Sequence, residues 1–294
     1  MTVPRFLPEF AAQRMVAPFK KQLLKWIGNK QRFANEIVSF FPKNFQAYHE
    51  PFLGSGAVLG TLCPDNGFAS DVFTPLMEIW KALHDRPEAL KRWYRDRWNR
   101  MELGGKNEIY EAVKASYNSA PNGADLLFLS RACYGGVVRF RKADGYMSTP
   151  CGVHRPISPD NFAYRVDVWR TRTKNVTFRT ADFREAMLEA RKGDLIYCDP
   201  PYSDSQTILY GAQEFRLDQL FSAIELCRRK GVYVALSIDG RKDSGQKACF
   251  VDIPPGLFVR DIFVNCGPSM LKRFQMAGKN LENHHVSDRL LLTY

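Results

Sequence analysis

The sequence predicts an α/β fold, a sheet with helices on both faces that carries an inserted, mainly helical domain with a β-hairpin. Short apolar strands alternate with helical segments in the first and last thirds of the chain, which favours a βαβ arrangement. Between residues 48 and 71 a strand, a glycine-rich turn, a helix and a second strand ending in an acid follow one another, the order of a mononucleotide-binding half. The stretch 84–174 interrupts this alternation and is strongly basic.

The elements on either side of that stretch follow from apolar periodicity and turn residues. Before it, we expect an amphipathic helix around 30–41, strands at 48–50 and 67–71, and a helix at 76–83 that begins after Thr74-Pro75. After it, we expect strands at 175–178, 194–198 and 232–237, with helices at 184–191 and 217–230.

The stretch 84–174 has a composition of its own. It contains 17 basic and 10 acidic residues, so less than a third of the 294 residues supplies most of the net charge of +11. We expect helices at 90–101 and 107–117, a hairpin from Val137–Arg141 and Gly145–Met147, and loops at Pro150, Pro156 and 158–160. Such a charge excess favours a polyanionic partner.

The overall composition excludes several classes of protein. With 45% hydrophobic and 13% aromatic residues, the chain can bury a full core and is not intrinsically disordered. It has no apolar run near the roughly 20 residues of a membrane helix, and residues 1–10 do not form a signal peptide because Pro and Glu interrupt them. Seven cysteines without C-x-x-C argue against a disulfide framework and a structural zinc site. We therefore expect a cytoplasmic, nucleoid-associated protein without a resident metal.

The sharpest chemical motif is Asp199-Pro200-Pro201-Tyr202, directly after the apolar strand 194–198. Ligands of open α/β sheets bind just beyond the carboxyl ends of the strands. The prolines remove two backbone donors and restrict the chain, so the Pro200 carbonyl can face outward as an acceptor beside the Asp199 carboxylate. Two acceptors next to the Tyr202 ring suit an amino group on a planar base. The alternative interpretation is a rigid loop at a strand end.

A glycine turn at 50–57 and an acid at the next strand end form a second motif. Gly54 and Gly56 permit a tight turn and close approach of a ligand to the backbone. Leu59 stands where a dinucleotide fingerprint has its third glycine, and no G-K-[ST] phosphate loop is present. Asp71 ends the following strand, where an acid can accept hydrogen bonds from a ribose, although a helix cap is the simpler alternative.

These motifs together resemble the Dam-like (alpha) group of DNA adenine-N6 methyltransferases. The similarity extends from about residue 23 to 294, and the region 128–139 resembles the family's recognition-hairpin region. The sequence departs from the family at two positions. Asn29 replaces the second glycine of the Gly-Gly-Lys that the family commonly has at 28–30, and Phe73 stands two residues after Asp71, where the family often has Asn. The motifs occur in one order along the chain: 25–30 (Lys-Trp-Ile-Gly-Asn-Lys), 50–56 (Glu-Pro-Phe-Leu-Gly-Ser-Gly), Asp71, 181–183 (Ala-Asp-Phe) and 199–202.

The resemblance implies a Rossmann-like methyltransferase sheet and S-adenosylmethionine as the cofactor. Residues 1–83 and 175–294 would form the catalytic domain, and 84–174 a target-recognition insert. Trp26 and Lys30 would hold the methionine end of the cofactor, Asp71 its ribose, and Asp182 with Phe183 its adenine. The full set of expected cofactor residues is Trp26, Lys30, Phe52, Gly54, Gly56, Asp71, Asp182, Phe183 and Asp199.

The resemblance also implies how substrate is held. The catalytic residues would be Asp199, Pro200 and Tyr202, the last stacked on an adenine that has swung out of the duplex. Phe215 would close over the pocket or belong to the core. The expected DNA contacts are Arg131, Tyr134, Arg139 and Arg141.

The function expected from the sequence is methylation of adenine N6 in duplex DNA, as part of a restriction-modification system or as a solitary methylase. Three alternatives stay open: cytosine-N4 methylation, which usually shows Ser at position 199, protein glutamine methylation, and a catalytically silent DNA-binding regulator. The expected partners are double-stranded DNA and, where one exists, a cognate restriction endonuclease. A monomer is the default expectation.

Overall fold

The computed structural model describes residues 16–201, 215–242, 252–268 and 285–294. The predictions for residues 1–10 and for Tyr202 concern residues outside this part of the chain. Within it, one sheet has the strand order β3-β2-β1-β4-β5-β7-β6, and β7 runs antiparallel to both of its neighbours while the other pairs are parallel. The strands are β1 Tyr48–Glu50, β2 Gly67–Asp71, β3 Val176–Thr180, β4 Leu195–Cys198, β5 Tyr233–Lys242, β6 Arg260–Pro268 and β7 His285–Leu292.

Helices cover both faces of the sheet, which confirms the predicted fold class. The alternation of β4 shows this directly: Leu195 and Tyr197 belong to one apolar cluster, and Ile196 and Cys198 belong to the other. None of the described helices is both long and apolar enough to cross a membrane. The helices are α1 Ala34–Ser39, α2 Ala57–Leu62, α3 Thr74–Asp85, α4 Pro87–Gly104, α5 Lys106–Ser119, α6 Gly123–Ala132, α7 Pro159–Arg172, α8 Phe183–Leu188 and α9 Leu217–Arg229.

The basic stretch between α3 and β3 packs on the sheet's own helices. Trp169 of α7 lies edge-on to Trp80 of α3 at 5.2 Å between ring centroids. Trp169 also covers Gly60 of α2, where a Cβ would come within 2.5 Å of the indole. The same apolar cluster includes residues of the sheet and of α4–α7. The stretch 84–174 therefore shares a core with the sheet, and its division into a separate domain stays a prediction.

Three features of this stretch differ from the sequence interpretation. Ser158 is the N-cap of α7, with its hydroxyl accepting from the Asn161 amide, so 158–160 begins a helix and is not a loop. The helix α6 was not predicted, because it is buried around its whole circumference and lacks an amphipathic period. The predicted hairpin is reduced to one antiparallel bridge between Phe140 and Met147. The Arg139 amide donates to the Thr149 hydroxyl instead of to a backbone carbonyl, and the backbone ladder ends at Arg139.

The topology places a crevice beside β1 and β4. From these central neighbours the strand order runs to β2 and β3 on one side and to β5 on the other. Such a reversal leaves a gap at the carboxyl ends of the strands, because the connecting helices diverge to opposite faces. The strands β6 and β7, which the sequence did not predict, extend the sheet beyond β5.

Candidate active site

A cavity of about 520 Å³ opens at the carboxyl ends of β1, β2 and β4. Cavities of roughly 300–1,000 Å³ hold small molecules of cofactor size. The structure brings most of the predicted site residues together on its wall. Those that line it are Trp26, Lys30, Phe52, Gly54, Asp71, Asp182, Phe183 and Asp199.

Three other predicted residues have different positions. Gly56 lies behind the wall as the N-cap of α2. Pro200 is buried directly after Asp199, and Pro201 lines the cavity beyond it. Tyr202 lies outside the described residues.

The glycine turn fixes one wall of the cavity. Gly54 has φ +47° and Gly56 has φ +62°, conformations that a side chain would strain. A Cβ on Gly54 would lie 3.3 Å from the Trp26 ring, and one on Gly56 would lie 2.9 Å from Trp80. Trp80 donates its indole N–H to the Gly54 carbonyl at 3.1 Å. The turn is therefore held from both sides, and its backbone can face a ligand closely.

Asp71 is held at the end of β2 by two backbone amides. The Gly54 and Phe73 amides each donate to its carboxylate at 3.1 Å. Burial raises the pKa of Asp71 above its usual value, and the amide hydrogen bonds oppose this rise. The carboxylate is thus oriented at the cavity wall, where it can accept hydrogen bonds from hydroxyl groups of a ligand.

Three phenylalanines form an aromatic corner of the cavity. Phe52 and Phe183 stack at 5.2 Å with an interplanar angle of 26°. Phe215 packs edge-on against both, at 5.8 Å from each. All three line the cavity, so Phe215 belongs to its wall. Aromatic surfaces of this kind favour a flat, apolar ring system.

Asp182 stands beside this corner, but its carboxylate is engaged locally. It is the N-cap of α8 and accepts the Arg184 amide at 2.9 Å. The Arg184 guanidinium also pairs with it at 2.7 Å. One of its oxygens therefore serves the start of the helix.

A buried lysine joins two carboxylates at the end of β4. The Lys30 ammonium lies 3.1 Å from Asp199 and 3.0 Å from Asp288 of β7. Burial by itself would lower the pKa of Lys30, but attraction to the two carboxylates outweighs it and raises that pKa well above its usual value. Lys30 is therefore protonated at neutral pH. Asp288 was not predicted, since the strand that carries it was not predicted.

Glu50 is a second residue that sequence reasoning missed. It ends β1, lines the cavity and accepts the Tyr48 hydroxyl at 2.6 Å. Burial raises the pKa of Glu50 to about 8; the Tyr48 hydrogen bond opposes this rise and the nearby charge of Asp199 adds to it. The carboxyl is thus mainly protonated at neutral pH. The rule that selected Asp71, an acid at the carboxyl end of a parallel strand, would also have selected Glu50.

Three of the four predicted DNA contacts are exposed, and the fourth is internal. Tyr134, Arg139 and Arg141 face solvent. Arg131 is only 6% exposed, and it donates to the Leu23 carbonyl at 2.8 Å and to the Gln22 carbonyl at 3.2 Å. The structure therefore places Arg131 among the groups that support the chain before the cavity, apart from the exposed set.

The exposed set adjoins the rim of the cavity. Phe140 packs edge-on against Phe73, which lines the cavity, at 5.6 Å. Gly136 lies so close to the exposed Lys25 side chain that a Cβ there would be 2.6 Å from it. Burial and the positive charge of Arg131 lower the pKa of Lys25. A basic, partly aromatic surface thus lies beside the opening.

Comparisons with known proteins give one matching family model and several relatives of similar sequence. Residues 26–250 match the family model described as D12 class N6 adenine-specific DNA methyltransferase. The chain is 25% identical to a DNA adenine methylase of Vibrio cholerae serotype O1, over 74% of this chain and 82% of the relative. It is 26% identical to a DNA N-6-adenine-methyltransferase of Escherichia phage P1, over 76% of this chain and 30% of the relative. It is also 24% identical to the type II methyltransferase M1.LlaDCHI of Lactococcus lactis, over 72% of this chain and 79% of the relative.

Proposed function

Since the chain belongs to the D12 class of N6 adenine-specific DNA methyltransferases, it methylates adenine N6 in DNA, and we propose that S-adenosylmethionine is its donor and that Asp199 and Pro200 hold the amine. The observation that carries this proposal is the position of Asp199. Its carboxylate stands at the end of β4 on the wall of a cofactor-sized cavity. Pro200 follows it directly and has no N–H of its own.

The residues of the cavity fit such a donor. The aromatic corner of Phe52, Phe183 and Phe215 offers a flat surface for an adenine ring. Asp71 offers an oriented acceptor for ribose hydroxyls, and Gly54 has no Cβ, which would lie close to the Trp26 ring and narrow the cavity. Bound S-adenosylmethionine supplies a methyl group activated by a positively charged sulfur.

The catalytic part of the proposal concerns the weak nucleophilicity of the target amine. Its lone pair is delocalised into the purine ring. The Asp199 carboxylate and the Pro200 carbonyl accept its two N–H groups, which draws the nitrogen toward tetrahedral geometry and localises the lone pair. Asp199 then stabilises the positive charge that develops on nitrogen during attack on the methyl group. Holding the two reactants together lowers the barrier further.

For Lys30 we propose a role other than the one that the resemblance implied. Lys30 is only 5% exposed, and its ammonium has Asp199 and Asp288 among its partners. We assign it the task of fixing Asp199 and not that of holding the cofactor's carboxylate.

The target base must leave the stack to reach this cavity, at a cost of a few kcal/mol. We propose that residues 84–174 act as the target-recognition part of a duplex-binding enzyme, with 1–83 and 175–294 as the catalytic part. Tyr134, Arg139, Arg141 and Lys25 would contact the DNA beside the cavity. Tyr202 would stack on the extruded adenine.

The DNA-contact surface can be tested with Arg139→Ala. We expect DNA affinity to fall and the slope of log affinity against log salt to decrease by about 1, as for one lost phosphate contact. Arg229→Ala is the matched control, because Arg229 is also exposed but lies on α9, paired with Glu225. An unchanged slope in Arg139→Ala would remove this residue from the interface.

The remaining partners follow from the substrate. All groups of the proposed site come from one chain, so a monomer suffices. Action on chromosomal DNA implies a cytoplasmic location at the nucleoid, and a restriction endonuclease of the same specificity is the partner expected in a restriction-modification system.

The reaction is tested by incubating the protein with methyl-labelled S-adenosylmethionine and duplex DNA, followed by nucleoside analysis. We expect N6-methyladenosine as the labelled nucleoside, none with Asp199→Ala, and normal yield with Asp65→Ala. Asp65 is exposed in the loop before β2, at the opposite edge of the sheet. Label in N4-methylcytosine, or near-normal turnover by Asp199→Ala, would contradict the proposal.

A further inference from the structure

The strand β7 brings a carboxylate to the proposed active site from the far side of the sheet. Asp288 lies opposite Asp239 of β5, and β5 separates β7 from β4, which Asp199 directly follows. Lys30, in the segment before α1, bridges the gap, with its ammonium 3.1 Å from Asp199 and 3.0 Å from Asp288. Three separate segments thus meet at one ammonium group.

The location of Asp288 is unusual for its chemistry. In a strand, residues two apart face the same side, and Leu290 and Leu292 on that side are fully buried in the core. Asp288 continues this apolar row and is only 8% exposed. A buried carboxylate destabilises a fold unless it is paired. The pairing with Lys30 offsets the cost of burying the Asp288 carboxylate. It does not explain why a charged pair occupies a position that an apolar residue could fill.

The charge of the cluster suggests an answer. Lys30 alone with Asp199 would form a neutral pair, in which the ammonium draws electron density from the carboxylate and weakens it as an acceptor. With Asp288 added, two carboxylates share one ammonium, and the three groups carry one net negative charge. Asp199 then keeps acceptor strength toward a ligand in the cavity while Lys30 still fixes its position.

We propose that Asp288 is a positioning residue for methyl transfer: by sharing Lys30, it leaves Asp199 oriented but negative enough to bind the target amine. The inference rests on the function proposed for Asp199. Asp288 acts through Lys30 and does not line the cavity. Among the described residues, the other ionisable groups that interact with the cluster are Tyr197 toward Lys30, and the mainly protonated Glu50 and the Cys198 thiol toward Asp199. They are left unchanged in the test.

The test compares Asp288→Asn with Asp288→Glu in the full-length protein. Asn keeps the shape and one acceptor for Lys30 but removes the charge. We expect kcat to fall roughly 10-fold, the difference between a charged and a neutral acceptor, with KM for DNA and for cofactor changed less than about 2-fold. Glu restores the charge, so kcat should recover to within roughly 3-fold of the unaltered protein.

Calorimetric titration with S-adenosylmethionine gives a readout independent of turnover. Its stoichiometry counts correctly folded sites, and rates are expressed per cofactor-binding site, so a partly unfolded variant cannot imitate the effect. The matched control is Asp261→Asn, a carboxylate of the neighbouring strand β6 that pairs with Arg289 at 2.9 Å on the exposed side. It should retain full kcat.

Each outcome supports or overturns the proposed role of Asp288. An unchanged kcat in Asp288→Asn would overturn the inference. A loss of cofactor affinity matching the loss of activity would assign Asp288 to cofactor binding instead, and failure of Glu to restore kcat would assign it a packing role. If the unaltered protein methylates adenine and Asp199→Ala does not, the proposed function stands whatever Asp288→Asn shows.

Discussion

The two ends of β4 each carry an aspartate in contact with a basic side chain, and they differ in what else surrounds the carboxylate. Asp194, just before the strand, accepts the Ala47 and Arg191 amides at 3.1 and 2.8 Å and faces the His49 ring at 3.0 Å. Asp199, just after the strand, pairs with Lys30 and lines the cavity. The same residue type therefore occupies a closed network at one edge of the sheet and a ligand-facing position at the other.

This difference shows what makes a carboxylate available for chemistry. At Asp194, backbone amides of the chain itself use the acceptor capacity, which ties β1 and β4 together. At Asp199, the carboxylate pairs with the Lys30 ammonium, which Asp288 shares, and it also lines the cavity. Location at the carboxyl ends of parallel strands produces this difference, because connecting segments diverge there.

Asp199→Asn gives the largest expected effect. Loss of the negative acceptor should lower kcat by about 100- to 1,000-fold, as for removal of one group that stabilises transition-state charge. The free energy of unfolding should change by less than roughly 1 kcal/mol, because Lys30 keeps Asp288 as its ionic partner. Methyl-transfer kinetics and urea unfolding measure the two quantities, with Asp65→Asn as control. A stable variant with normal kcat would show that Asp199 has no catalytic role and that the two aspartates do not differ in function.

Asp194→Asn should give the opposite profile. An amide cannot accept all three donors equally well, so we expect the free energy of unfolding to fall by roughly 2–3 kcal/mol. The kcat per folded molecule should stay unchanged, because Asp194 lies at the other edge of the sheet. Urea unfolding and cofactor-titrated kinetics at low temperature check this. Loss of kcat in fully folded Asp194→Asn would show that the two ends are not independent.

Glu50→Gln tests the cavity end of β1 and β4 through the pH dependence of the free energy of unfolding. The pKa of Glu50 is raised from 4.5 to about 8, so the folded state binds this proton more tightly than the unfolded state does. The resulting stability is fully present below about pH 4.5 and is lost as the pH rises toward 8. Gln imitates the protonated carboxyl and keeps an acceptor for Tyr48, so the variant should lack this loss.

The measurement is the free energy of unfolding of Glu50→Gln and of the unaltered protein at pH 5.5 and 8.5. We expect the variant to gain about 1–3 kcal/mol relative to the unaltered protein between these two values. The exposed Glu108→Gln on α5 should show no such gain. A parallel pH dependence in Glu50→Gln would mean that the buried carboxyl is ionised in the folded protein.

The comparison also explains how much the sequence could predict. Local patterns sufficed for β1, β2 and β4 and for the acids Asp71 and Asp199, because apolar strands followed by Asp or by glycine turns are short-range signals. Gly54, Asp71 and Asp199 line the cavity for that reason, whereas the other five predicted residues that line it were implied by the family resemblance. Asp288 could not be found in this way, since its partner Lys30 lies about 260 residues away and the pairing depends on the register of β7 across β5.

Residues that depend on tertiary burial were the other difficulty. Arg131 belongs to a region that resembles a DNA-contacting segment, yet the structure turns its guanidinium inward to the carbonyls of Gln22 and Leu23. No property of the residue itself distinguishes it from the exposed Arg139. The helix α6 likewise had no amphipathic signal because it is buried on all sides, its polar residues Asp125, Ser130 and Arg131 included.

His49→Gln gives the smallest expected effect and tests the closed end of β4. Burial lowers the pKa of His49, although the hydrogen bond with Asp194 opposes this. A depressed histidine pKa means that the unfolded state binds the proton more readily, so its stabilising contribution is present above about pH 6.5 and is lost as the pH falls below that value. Between pH 7.5 and 5.5, the unaltered protein should lose about 1 kcal/mol or less from this group, and His49→Gln should lack that loss. Urea unfolding at the two pH values measures it, with the exposed His84→Gln on α3 as the matched control. If His49→Gln keeps the full acid sensitivity, the imidazole is already charged beside Asp194, and the network at this end is an ion pair instead of a neutral hydrogen-bonded contact.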